Sequence, residues 1–334
     1  MHWRGRFSLQ CMYRKWSRLL NGNLMKTNSV QTSFRMASMS TLSRRQLLKM
    51  GLAVAATGFS TNLIRAETLE ASPWPLWSVE REGRKVYVFG GTPARKLPWY
   101  DKRIERLLAS CATLWTETNQ VMRGNVRELV VQNGLDPEHP LPHRIGANES
   151  VRLATAARLA KINITDLTPY RPWLAAMTLE NAYHAQLGHN ESGSAEKVLI
   201  AMAKETGVAV QSEFAAQDDV MMYMGGLTKE ADEQYLSYTL DQILADPAAN
   251  EQMYADWARG DSSKADEIVL GLKAKYPAMY AKMVIDRNRD WIPRFESMLN
   301  ASKPSLAVVG FFHMAGPDSL LVQLRAQGWI VRAM

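Results

Sequence analysis

The sequence predicts an α/β fold, a sheet flanked by helices, and three observations carry that prediction. Short runs rich in β-branched and aromatic residues alternate with helix-period segments from about residue 76 onward. The composition, 46% hydrophobic and 22% charged, is that of a folded globular chain and excludes disordered and collagen-like classes. Four residues or turns able to do chemistry stand at or just past the carboxyl ends of predicted strands: Gly90-Gly91, Glu117, Glu213 and His313. Open α/β sheets bind ligands at that edge.

Taken in order, Trp77–Glu80 and Val86–Phe89 flank Glu82-Gly83-Arg84 and read as a hairpin, with Gly90-Gly91-Thr92-Pro93 ending its second strand. Ile104, Leu107, Leu108 and Cys111 mark a helix after Asp101, and Thr113–Thr118 reads as a strand. A helix covers Leu174–Gln186, and another closes at Gly207. Val208–Val210 is then a strand leading to Glu213. Helical periodicity covers Lys229–Leu244, Ala255–Tyr276 with a break at Gly260, and Tyr280–Leu299 despite Pro293, forming a large helical insertion around 215–300. Ser305–Val309 is a strand that stops at Gly310. Ser319–Gln327 is a helix, and Trp329–Arg332 a last strand. Neither repeats nor linkers interrupt residues 67–334, which are expected to form a single domain.

The charge is divided unevenly along the chain. Residues 1–66 hold eleven Lys/Arg and no Asp or Glu, whereas residues 67–334 hold 29 basic against 33 acidic residues, a net of −4. A mildly acidic body disfavours nucleic acid as a partner, because affinity for phosphates needs clustered cations. The leader contains Ser43-Arg44-Arg45-Gln46-Leu47-Leu48-Lys49, a weakly apolar run Met50–Phe59, and Ala66 just before the first acidic residue, Glu67. It resembles a twin-arginine signal, so the export machinery is an expected transient partner and a periplasmic or secreted location the expected destination. Residues 1–38 are expected to be an over-extended start, with Met36 or Met39 nearer the working one. The apolar run is far short of the roughly 20 residues that span a bilayer, so no stable transmembrane anchor is expected. Cys11 and Cys111 are the only cysteines. No disulfide can close within the body, a Cys-rich zinc site is excluded, and Cys111, spaced with Leu107 and Leu108, is expected to be an inert core thiol.

Among the histidines, His139 and His143 have i, i+4 spacing, but Pro137, Pro140 and Pro142 argue for an exposed loop there. His184 and His189, five apart with Gly188 between them, lie roughly 140° apart on a helical wheel and are not expected to pair as ligands. His-Glu-x-x-His, Walker-type, Gly-x-Ser-x-Gly and Cys-x-x-Cys motifs are all missing from the sequence.

The segment Leu306–Leu321, with Val309-Gly310-Phe311-Phe312-His313 at its centre and Gly328-Trp329-Ile330-Val331 beyond, resembles the closing motif of the TraB/GumN family, relatives of the Tiki metalloproteases. Arg287-Asn288, Glu213 with Gln217, Pro172-Trp173 and the opening hairpin with Glu117 are similar to further elements of that family, over roughly Leu76 to Val331. The resemblance implies a central mixed β-sheet wrapped by helices and a divalent transition-metal site built from two Gly-x-x-His motifs. It assigns catalytic roles to Glu117, Arg287 and His313, and substrate binding to Gly91, Glu213, Asn288 and Gly310. The second motif is present as Gly310–His313; in the first, Gly91-Thr92-Pro93-Ala94, Ala94 stands where the family has its histidine. His313 and Glu117 are then the evident metal ligands, fewer than the three usual in a catalytic site, and Arg95 adds a positive charge nearby. The expectation is a divergent member with a degenerate metal site, acting as a binding or accessory protein. The alternatives are a metal-dependent peptidase or hydrolase using His313 and Glu117 on a peptide or polypeptide substrate, and a metal-free hydrolase.

Overall fold

The computed structural model describes residues 74–119, 121 and 123–334. The leader, with its arginine pair and Cys11, lies outside the described residues. β1 (Leu76–Arg81) and β2 (Arg84–Gly91) form the expected hairpin. Glu82 and Gly83 between them have φ of 53° and 75°, the positive pair that a two-residue turn needs to follow the strand twist. α1 (Lys102–Ser110) is capped by the Asp101 carboxylate, which accepts the N–H groups of Arg103 and Ile104. β3 (Thr113–Thr118) follows. Then come α2 (Val126–Asn133), α3 (Leu141–Arg144), α4 (Ala147–Leu159), α5 (Pro172–Gln186) and α6 (Ala195–Thr206), and after them β4 (Ala209–Phe214). The helical insertion holds α7 (Gln217–Gly225), α8 (Lys229–Leu244), α9 (Pro247–Ala258), α10 (Ser263–Lys275) and α11 (Pro277–Tyr280). It ends by running through a π-helical stretch, Ala281–Asp286, into α12 (Arg287–Met298). β5 (Ser305–Gly310), α13 (Leu320–Ala326) and β6 (Ile330–Ala333) complete the chain.

The strands form one mixed sheet in the order β4-β3-β5-β2-β1-β6. β4, β3, β5 and β2 run parallel, whereas β1 is antiparallel to both β2 and β6. Gly91 lies opposite Gly310, Thr116 opposite Val308, and Thr118 opposite Phe214. Four carboxyl ends therefore share one edge, and residues from 91 to 313 reach it from segments far apart in sequence.

The pleat divides the core in two. Phe89, Leu114, Leu306 and Val308 point to the face covered by α1 and α6, where they meet Ile104, Leu108, Leu199 and Ala203. Val88, Trp115, Ala307 and Val309 point to the face covered by the insertion and the last helix, against Trp257, Val269, Trp291, Phe295 and Leu324. Each buried Val, Leu or Phe contributes roughly 1.5–3 kcal/mol, so a charge at Val308 would break the sheet at its centre. Cys111 lies in the first cluster, its thiol donating to Leu107 O at 3.2 Å. Burial pushes that thiol up to about 11, as expected of an inert core residue. Gly90 is the one residue that fits beneath Trp257: the indole N–H donates to Gly90 O at 2.8 Å, and a Cβ at Gly90 would lie 2.5 Å from the ring.

Some elements differ from expectation. β4 continues to Phe214, placing Glu213 inside the strand because pairing with β3 persists to Thr118. β6 begins one residue later than predicted, with Trp329 buried under the sheet. Residues 141–144 form a single helical turn where the prolines argued for none. Pro142 sits in its first turn, where the missing N–H has no intrahelical partner to lose, and His139 and His143 remain exposed. Among the described residues no helix is long and apolar enough to cross a membrane.

Candidate functional site

Glu117, Glu213, Arg287 and His313 meet at the shared strand edge. Arg287 and Asn288 open α12 directly after the π-helical stretch, and both are buried. A π segment shifts helical phase by about one residue, which here lets two successive side chains both face inward. Arg287 Nη2 donates to Glu117 Oε2 at 2.7 Å and to Glu213 Oε2 at 2.5 Å, and Nε donates to Glu213 Oε1 at 3.1 Å. The guanidinium carbon lies 5.0 Å from the Trp291 ring and 5.5 Å from that of Phe214. Arg287 Nη1 is 3.3 Å from His313 Nε2.

The second nitrogen of His313 fixes its tautomer. Asn288 Nδ2 donates to Asp318 O at 2.9 Å, which leaves Asn288 Oδ1 to accept from His313 Nδ1–H at 2.8 Å. Nε2 is then the bare nitrogen that faces Arg287. Asn288, expected at the substrate, is fully buried and holds the histidine. Gly310 N–H donates to Glu117 Oε1, so Gly310 also acts through its backbone on the glutamate.

These contacts set the charges. Burial would raise the Glu117 carboxyl, but Arg287 and the Gly310 N–H outweigh it and hold the group at about 2. Burial, with the Arg287 charge beside it, pushes His313 down to about 3, so the ring is neutral. Burial and the neighbouring Glu117 raise Glu213 in spite of Arg287. Glu196, in the first turn of α6, accepts from Thr118 N–H at 3.0 Å. Burial and Glu117 push it up to about 7.

The residues do not fit the divalent ion that the resemblance implies. Both Glu117 oxygens and His313 Nε2 already accept hydrogen bonds, two of the three from a permanently charged guanidinium. Ala94 has no donor atom. At 4 Å and an effective dielectric near 20, Arg287 would oppose each unit of added positive charge by about 4 kcal/mol. Among the described residues no group of three or more His, Cys, Asp or Glu side chains is placed to hold a metal.

A cavity of about 400 Å³ opens beside this network, bordered by Gly91, Glu117, Glu196, Arg287, Gly310 and His313. Its apolar walls come from the insertion and the β5 turn, including Tyr235, Tyr238, Tyr254, Met283, Phe311 and Phe312. A second polar cluster borders the same space: Arg95, His184, His189 and Glu251. Here the structure corrects the helical-wheel expectation for the histidines. α5 ends at Gln186, Gly188 turns the chain back with φ of 77°, and His189 N–H donates to His184 O. The two rings stack 4.8 Å apart with their Nδ1 atoms 2.8 Å apart. At that distance one Nδ1–H donates to the other Nδ1, so the rings are not both charged, and burial pushes His184 down to about 4.

The comparison with protein families bears on the whole of this architecture. A model of the TraB/PrgY/gumN family matches residues 75–333, from the first strand to the last. The chain belongs to the TraB/PrgY/gumN family. No curated protein matches it in sequence. The mixed sheet, the Gly310–His313 turn and the paired Arg287-Asn288 are how this family member builds its strand edge. Glu196 went unread in the sequence, because a Glu in a helical first turn is commonplace, and the His184–His189 contact was set aside there because it depends on a turn beyond the helix end. The available signal was an acidic residue in the first turn of a helix capped by Ser194, where the helix dipole favours negative charge.

Proposed function

We propose that this family member is a binding or accessory protein whose cleft recognises a peptide or other partly apolar ligand without a divalent metal. One observation carries the reading: the Arg287 guanidinium takes the space and the hydrogen-bond acceptors that a metal shared by Glu117 and His313 would need. The apolar walls of the cavity suit an aromatic or aliphatic ligand. Export through a twin-arginine leader to the periplasm or beyond belongs to the same proposal and rests on Ser43–Lys49 and the charge change at Glu67.

Elemental analysis of purified mature protein, paired with peptide-hydrolysis assays with and without chelator, tests it. The expected result is no stoichiometric divalent ion and no chelator-sensitive hydrolysis. Stoichiometric metal together with hydrolysis abolished by chelation would overturn the reading in favour of a metallopeptidase.

A second reading, metal-free hydrolysis, is supported by Glu196. With Glu117 at about 2 and His313 at about 3, neither is matched to proton transfer at neutral pH. Glu196, at about 7 and on the cavity wall, is so matched. Hydrolysis that survives chelation but is lost in Glu196→Gln would favour this second reading.

A further inference from the structure

The second polar cluster has the properties of a ligand subsite. Arg95 is tied down through its backbone: Asn190 N–H donates to Arg95 O at 3.1 Å, and the Glu191–Gly193 turn packs so closely that a Cβ at Gly193 would collide with the Arg95 backbone. Its guanidinium lies 3.8 Å from the centre of the Tyr254 ring, an arrangement that fixes the plane of the donor fork. The side chain is 12% exposed, yet its ion-pair partner Glu251 is 57% exposed. Glu251 thus reaches from the solvent side to place a carboxylate on an arginine that borders the cavity, with His189 Nε2 3.5 Å from the same oxygen.

We infer that Arg95 forms a subsite for the carboxylate of a partly apolar ligand, and that Glu251 occupies the arginine as an internal stand-in until the ligand displaces it. The inference rests on the binding reading of the cleft and adds the chemical class of its ligand. A carboxylate matches the planar fork of a guanidinium with two parallel hydrogen bonds. The aromatic walls beside it accept the apolar body.

The probes are N-acetyl-phenylalanyl-phenylalanine with a free C-terminal carboxylate, the same dipeptide as its amide, and inorganic phosphate as competitor, each measured by calorimetry on the mature protein. The acid is expected to bind about tenfold more tightly than the amide. Arg95→Gln should erase that preference. Glu251→Gln should strengthen acid binding severalfold and widen the preference for acid over amide, an effect that a merely structural ion pair would not produce. Equal binding of acid and amide to the parent protein would overturn the subsite and leave the cleft reading standing. Failure of both to bind at about 1 mM would overturn both. Competition by phosphate as strong as that of the acid would overturn the assignment to carboxylates.

Discussion

Two arginines border one cavity, and their surroundings differ in kind. Arg287 has two carboxylates and a histidine within 3.3 Å, and those partners are themselves held by Gly310 and Asn288. Arg95 has one carboxylate, delivered by a largely exposed side chain, and the flat face of Tyr254. A buried charge saturated by buried partners is architecture, because exchanging any partner strands another. A charge on a cavity wall whose one carboxylate partner faces solvent can trade that partner for a ligand at little cost.

Neutralising the two residues should separate them sharply. Arg287→Gln leaves Glu117 and Glu213 facing each other in the interior and is expected to cost about 3–5 kcal/mol in chemical denaturation. Arg95→Gln should cost no more than about 1 kcal/mol, the usual worth of a pair with an exposed member. Comparable losses would erase the distinction drawn between the two sites.

Acidification gives a smaller but informative effect. His313 and His184, ordinarily near 6.5, are held in the fold at about 3 and about 4. Between those values and 6.5 the unfolded chain binds protons that the native chain refuses, so stability falls as pH drops through that window. Glu196 acts in the opposite sense. Raised to about 7 from 4.5, it binds a proton in the fold first, and its contribution is lost as pH rises through 7. The Glu117 contribution is fully present above 4.5 and disappears only as pH falls toward 2. Thermal melts from pH 7 to pH 4.5 should therefore show a net decline, less steep in His184→Asn. An equally steep decline in His184→Asn would mean that His184 is not held neutral in the fold.

The smallest expected effect is at Ala94. Ala94→His supplies the missing motif histidine but leaves Arg287 among the other donors, so elemental analysis should find no stoichiometric divalent ion in the variant. Metal uptake by this single change would show that Arg287 yields its place readily, and the contrast between the arginines would weaken.

Much of the strand edge was legible because parallel strands place their last residues side by side whatever their separation in sequence. Gly91, Glu117 and His313 could be grouped from strand ends alone, and the pattern Leu306–Val309 marks a strand buried on both faces. The helices between residues 126 and 159 were not legible, and α2 shows why. Its apolar face is only Val126, Leu129 and Val130, little more than one turn and none of it completely buried, which is too short a run to mark a helix. Asn288 illustrates a different limit. The family resemblance of Arg287-Asn288 marked it for the site, but only the three-dimensional contact with Asp318 O reveals that its amide oxygen is turned to His313. The His184–His189 contact is a third kind, since helical-wheel geometry ceases to apply at Gly188, where the helix has already ended.

The indole of Trp257 lies on Gly90 and donates to its carbonyl, and Glu251 precedes it by six residues on the same helix, about 9 Å along the axis. The helix that carries the carboxylate is therefore clamped to the sheet, and release of Arg95 need not wait for any backbone to move. Rotation about the bonds of one exposed glutamate side chain suffices, a motion of picoseconds to nanoseconds. Exchange at Arg95 would then be limited by diffusion of the incoming molecule, and its association rate should scale linearly with concentration, with no plateau from a slow opening step.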